Sequence, residues 1–126
     1  MSTQPTRPEI DFPGEEPPTE LVIEDITVGD GALATKGQTV RAHYVGVAHS
    51  TGEEFDASWN RGEQLRFQLG VGQVIAGWDQ GLQGMRVGGR RKIVIPPHLG
   101  YGDRGAGSAI KGGETLIFVV DLVDVA

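Results

Sequence analysis

The sequence predicts an α+β fold, an antiparallel sheet of five to six strands wrapped around one short helix. Three observations carry this. Segments with apolar residues at every second position recur between Leu21 and Ala126, the mark of half-buried strands. One segment alone, residues 74–82, repeats its apolar residues Val74, Ile75, Trp78 and Leu82 at helical period. Twenty glycines in 126 residues, without a repeat, signal many tight turns. So short a helix cannot cover a parallel sheet, which sets a βαβ arrangement aside. Nor does it stand in water alone, so the packing of Trp78 and its apolar neighbours must hold it.

In chain order, residues 1–20 come first, with Pro5, Pro8, Pro13, Pro17 and Pro18. Their large apolar residues after Met1 are Ile10 and Phe12. Such a stretch buries too little surface to offset the entropy of ordering it. It reads as a disordered or loosely draped tail ahead of a single domain at residues 21–126. Residues 21–26 form a first strand, and residues 28–32 a turn. Residues 39–49 form a long strand, with Val40, Ala42 and Tyr44 on one face and Arg41, His43 and Val45 on the other. The turn signal Ser50-Thr51-Gly52-Glu53 returns residues 54–56 as a hairpin partner. Trp59 follows in what reads as an exposed turn. Leu65, Phe67 and Leu69 alternate with Arg66 and Gln68 in the next strand. After the helix come a glycine-rich turn at 84–89 and a strand at 91–95, stopped by Pro96-Pro97. A long loop at 100–113 leads to the closing strand, residues 115–125.

Composition excludes several classes. The net charge is −6, and residues 1–20 carry Arg7 against Glu9, Asp11, Glu15, Glu16 and Glu20. Four of the six net negative charges therefore sit in the tail, and the domain is nearly neutral. A nucleic-acid binder would show a basic face. The run Arg90-Arg91-Lys92 does not supply one, because alternation in a strand divides it between two faces. No apolar run reaches the ~20 residues of a membrane helix, and residues 1–20 lack the core of a signal peptide. The expected setting is the cytoplasm. Without cysteine there is no disulfide, thiol nucleophile or thiolate metal site.

Familiar catalytic motifs are missing. Neither G-x-x-x-x-G-K-[ST] nor G-x-S-x-G occurs, and Gly70-Val71-Gly72 does not sit in a βαβ unit. His43, His49 and His98 have no metal-binding spacing and read as surface or internally satisfied side chains, so no metal or other cofactor is expected. Any catalysis must come from shape, desolvation and hydrogen bonds. What remains is aromatic: Tyr44, Phe55, Phe67, Trp78, Tyr101 and Phe118 each fall on an inward face or on a loop facing it. Six such rings exceed what a core plug needs.

Several motifs in register resemble the FKBP-type peptidyl-prolyl isomerases. They are Val40-Arg41-Ala42-His43-Tyr44-Val45-Gly46, Phe55-Asp56-Ala57-Ser58, Val74-Ile75-Ala76-Gly77-Trp78-Asp79-Gln80-Gly81-Leu82, Ile95-Pro96-Pro97, Leu99-Gly100-Tyr101-Gly102 and Leu116-Ile117-Phe118. The resemblance covers residues 21–126 and implies a sheet wrapped around one helix, in agreement with the pattern. It also implies Trp78 as pocket floor, Tyr44, Phe67 and Phe118 as walls, and Val74 and Ile75 at the rim. The Ile75 N–H would donate to a substrate carbonyl. Asp56, Tyr101, Trp78 and Phe118 become the expected catalytic residues. Tyr44, Phe55, Arg61, Leu65, Phe67, Val74, Ile75 and Ile110 become the expected ligand-binding residues. Asp56 would pair with Arg61 and bond the Tyr101 hydroxyl or a ligand group. Leu65 stands where many relatives carry phenylalanine, Gln73 where an acid is commoner, and Ala106 and Ala109 where short members carry histidine and isoleucine.

The implied partners are proline-containing peptides, unfolded proteins and macrolides of the rapamycin and tacrolimus type, met by a monomer without nucleic acid or membrane. The implied activity is rotation about X–Pro bonds in support of protein folding. Two other readings are a binding module that uses the same pocket without turnover, and a holdase chaperone. The retained Tyr101, Asp56 and Trp78 favour the enzyme over the first. The absence of an added apolar domain argues against the second.

Overall fold

The structure, a computed structural model, describes residues 10, 16–106 and 110–126. Among these, six strands are present: β1 (Val22–Thr27), β2 (Thr39–Ala48), β3 (Glu54–Ala57), β4 (Leu65–Gln68), β5 (Arg90–Ile95) and β6 (Leu116–Val125). All pairings between these strands are antiparallel. The order across the sheet is β1-β5-β6-β2-β3, with β4 also on β2. The long central strands are β2 and β6, paired from Val40 with Val125 to Ala48 with Leu116. The far edge of β2 is divided. β4 takes Thr39 to Ala42, and β3 takes Val45 to Val47. At the other end, β1 is an edge strand exposed along its whole length.

Among the described residues there are two α-helices, not one, besides a 3-10 turn at Pro97–Leu99. The expected helix is α2 (Ala76–Gly81), six residues long rather than nine. Val74 and Ile75 lie ahead of it: Ile75 has an extended ψ of 151°, and its carbonyl accepts the N–H groups of Trp78 and Asp79. Their apolar period reports a shared inward face, not a shared helix. The unforeseen helix is α1 (Ser58–Arg61), a single turn closed by Gly62 at φ 67°. Four residues are too few to display a period, so the alternation rule passes over it. Trp59 therefore lies on a helix and is half-buried, not in an exposed turn.

The sheet has a core on each face. On the inner face Val40, Ala42 and Tyr44 meet Phe67, Ile93, Ile95, Phe118 and Val120, and Trp78 and Leu82 close over them. Close approach of α2 depends on two glycines. A Cβ at Gly77 would stand 2.5 Å from Ile95 Cγ2, and one at Gly81 would stand 3.1 Å from Ile93 Cγ2. The basic run splits as alternation demands, with Arg91 inside and Arg90 and Lys92 more exposed. Buried Arg91 donates to the carbonyls of Gly81 and Gln83 at 2.8 and 3.1 Å, and pairs with Asp25 at 2.7 Å. A cation thus satisfies the carbonyl end of α2, where the helix dipole favours it.

On the outer face Val45, Val47, Ala57 and Ile117 cluster, with Trp59, Val94 and Ile10 packed against them. Most of the expected tail, residues 1–9 and 11–15, lies outside the described residues. Ile10, which packs against this outer cluster, is half-buried.

Candidate functional site: an aromatic cavity on the inner face

A cavity of about 440 Å³ opens above α2, lined by Tyr44, Phe55, Asp56, Leu65, Gln73, Val74, Ile75, Trp78, Tyr101 and Phe118. Its base is the Trp78 indole, 3% exposed. Three rings meet that indole edge to face: Tyr44 at 5.0 Å, Phe118 at 5.2 Å and Phe67 at 5.7 Å between centroids. Edge-to-face packing suits the ring quadrupoles and fixes each plane. Phe55 extends the wall, meeting Phe118 at 5.5 Å. Gly46 makes that contact possible, since a Cβ there would lie 2.6 Å from Phe118 and 2.7 Å from Phe55.

The mouth is polar. Tyr44 Oη donates to Asp56 Oδ2 at 2.5 Å. Arg61 donates from Nη1 to Asp56 Oδ1 at 2.7 Å and from Nη2 to Tyr44 Oη at 2.8 Å. Burial pushes the Asp56 carboxyl up, but the hydrogen bonds from Tyr44 and Arg61 and the guanidinium charge outweigh it. The net result holds Asp56 below the usual aspartate range, ionised. Burial, then the Asp56 hydrogen bond, raises Tyr44, so its hydroxyl keeps its proton. Burial, then the Asp56 charge, raises Tyr101 as well.

The expected Arg61–Asp56 pair is present, but the phenol that bonds this carboxylate is Tyr44, not Tyr101. Tyr101 also lines the cavity, 39% exposed, and among the described residues no hydrogen bond ends on its hydroxyl. The reason is topological. Asp56 pairs directly with Gly46 on β2, which brings it beside Tyr44, whereas Tyr101 arrives on a loop.

Nine of the expected site residues line the cavity: Tyr44, Phe55, Asp56, Leu65, Val74, Ile75, Trp78, Tyr101 and Phe118. Phe67 buttresses Trp78 from below the lining, and Arg61 acts at the mouth through Asp56. Ile110, expected at the rim, is 5% exposed in the inner core, drawn in by its bridge to Ala106. Ala109 lies outside the described residues.

Gln73 lines the cavity although the sequence reading did not select it as a site residue. Its Oε1 accepts the Gln68 N–H at 2.8 Å, which fixes the side chain against β4. Beside it, both Asp79 carboxylate oxygens take loop N–H groups, from Gly70 at 2.8 Å and Gly72 at 2.9 Å. These contacts hold the loop that delivers Val74 and Ile75. Among the described residues no group of three or more His, Cys, Asp or Glu side chains is placed to hold a metal.

The family model described as FKBP-type peptidyl-prolyl cis-trans isomerase matches residues 31–123. The chain belongs to this family. It is 71% identical over 120 residues to an FK506-binding protein of Streptomyces anulatus, covering 94% of this chain and 97% of that one. It is 50% identical over 117 residues to a probable FK506-binding protein of Corynebacterium glutamicum, covering 93% and 97%. The crystal structure of AtFKBP13 superposes with a TM-score of 0.78 at 45% identity, covering 84% of this chain and 93% of that one. The family's activity is rotamase, and the domain is therefore a peptidyl-prolyl cis-trans isomerase.

Proposed function

We propose that the aromatic cavity receives a prolyl ring over Trp78 and lowers the barrier to rotation of the preceding amide. The observation that carries this is the box of Tyr44, Phe67 and Phe118 around the Trp78 face, open to solvent beside an ionised Asp56. Conjugation gives the X–Pro bond a barrier of about 20 kcal/mol. Water favours the planar, charge-separated amide. An apolar box strips that water and favours the twisted, less polar state. Among the described residues no protein acceptor takes the Ile75 N–H, and Ile75 lines the cavity. We assign it the carbonyl of the bound peptide. The Tyr101 hydroxyl offers a second anchor across the mouth. Asp56, held by Arg61 and Tyr44, presents a fixed negative charge near the rotating group. Nothing covalent is required.

The substrates in this reading are proline-containing segments of peptides and unfolded proteins, with an apolar residue before the proline to meet Leu65, Val74 and Ile75. The FK506-binding names of the relatives support macrolides of the tacrolimus and rapamycin type as competitors for the same box. A cytoplasmic monomer remains the proposed working form. The test is a protease-coupled isomerisation assay on peptides with Leu, Phe, Ala, Glu or Lys before proline, with and without tacrolimus. Leu and Phe should be turned over fastest, and the macrolide should abolish turnover. Glu outrunning Leu, or binding without turnover, would overturn the assignment.

A further inference from the structure

We propose that His43, on the outer face of β2, is a positioning residue for isomerisation: it fixes α1 and thereby Arg61 at the cavity mouth. This rests on the site reading above, in which Arg61 holds Asp56.

The divided edge of β2 sets the problem. β4 ends its pairing at Ala42 and β3 begins at Val45, so His43 and Tyr44 have no strand partner on that side. Ser58, the first residue of α1 and fully buried, fills the gap. Its Oγ accepts the Tyr44 N–H at 2.7 Å and lies 3.4 Å from the Tyr44 carbonyl oxygen. His43 Nδ1 lies 2.8 Å from the same Oγ. The imidazole also stacks on the Trp59 indole, with centroids 4.2 Å apart and planes at 18°. One side chain therefore touches the first two residues of α1.

That helix needs outside support. It has four residues and no side-chain N-cap bond, and one turn does not persist unaided. Trp59 Nε1 is buried without an acceptor among the described residues. The indole is thus placed by its stack on His43 and by apolar contact, not by a hydrogen bond. Arg61 is the last residue of the same turn, and its guanidinium meets both Asp56 and Tyr44 Oη. A displacement at the start of α1 is carried directly to its end. His43 itself is on the opposite face of the strand from the cavity and lines no part of it.

The experiment is a double-mutant cycle on kcat/KM for a Leu-Pro peptide, using wild type, His43→Leu, Arg61→Ala and the double variant. If His43 acts through Arg61, we expect losses of about threefold and about fivefold for the single variants, and a double variant close to Arg61→Ala alone. A general structural role predicts instead that the losses multiply to about fifteenfold. Multiplication, or a silent His43→Leu beside an impaired Arg61→Ala, overturns this inference alone. A silent Arg61→Ala overturns the site reading and this inference with it. Should His43→Leu fail to fold, Trp59→Ala removes the stack from the half-exposed side. The same non-additivity is then expected, and multiplication again overturns the inference.

Discussion

The two helices are held in opposite ways. α2 is pressed onto the sheet by apolar contact. Gly77 and Gly81 let it approach Ile95 and Ile93, Trp78 fills the space above, and Arg91 closes its carbonyl end. α1 is hung on a sheet edge by polar and stacking contacts, with Ser58 on the Tyr44 backbone, His43 against Trp59, and Arg61 reaching Asp56. Apolar close packing resists displacement in every direction. Hydrogen bonds and a half-exposed stack resist chiefly along the bond and can be exchanged for water. The floor of the cavity is accordingly built on the stiffer helix. The charged mouth is built on the one that can adjust.

This contrast sets the order of expected effects. The largest belongs to α2. Gly77→Val inserts atoms where a single Cβ already meets Ile95 at 2.5 Å. Urea denaturation should show a loss of about 3 kcal/mol, and turnover should fall with it. Next is Trp78→Leu, which keeps part of the apolar volume. A loss of roughly 2 kcal/mol is expected, together with macrolide affinity weakened by about tenfold or more in a calorimetric titration. Because Trp59 is stacked and half-buried, the fluorescence of both indoles must be followed to read that site, with Trp59→Phe as the reference.

At the mouth the effects move from stability to rate. Asp56→Asn should lower kcat/KM about fivefold, with a melting temperature within about 2 °C of wild type, because this ion pair is solvent-exposed and adds little stability. A melting temperature that falls in step with the rate would erase the distinction between the two helices. The pH profile sharpens it further. Asp56 has its folded pKa lowered, so its contribution is fully present above the ordinary aspartate value of about 3.9 and is lost as pH falls through the lower folded value. Turnover should therefore stay level from about pH 5 to pH 8 in wild type and fall only in acid. A titration step near neutrality would contradict an Asp56 held by Tyr44 and Arg61. The smallest effect lies on the outer face. Ile10→Ser should cost under about 1 kcal/mol by chemical denaturation and leave kcat/KM unchanged.

What could be read from the sequence follows the same division. Apolar patterning and turn signals together locate six strands to within a residue or two, most firmly where Val40, Ala42 and Tyr44 or Ile93 and Ile95 make repeated contacts with one core. Trp78 stood out because a helical period with one large ring has few other uses. Its neighbours Val74 and Ile75 lengthened the apparent helix, since period alone cannot distinguish a helical turn from an extended approach to the same face. α1 was invisible: its support comes from His43 and Tyr44, some fifteen positions earlier, and nothing in Ser58-Trp59-Asn60-Arg61 announces it. The same holds for the Tyr44–Asp56 bond, which exists only because β3 folds back on β2. The inward position of Ile110 likewise depends on a bridge formed within its own loop.

The pairing of β2 with β6 also decides when the cavity can exist. Its two strands come from opposite ends of the domain, Val40 meeting Val125 and Gly46 meeting Phe118. β3 and β4 can pair with β2 locally, but the complete cavity waits for that long-range closure, which is slow relative to local contacts. Phe118, one of the three rings around Trp78, arrives with β6 itself. During synthesis, a chain halted after α2 or β5 lacks a wall and the central strand together. The isomerase gains its own box only when β6 has left the ribosome.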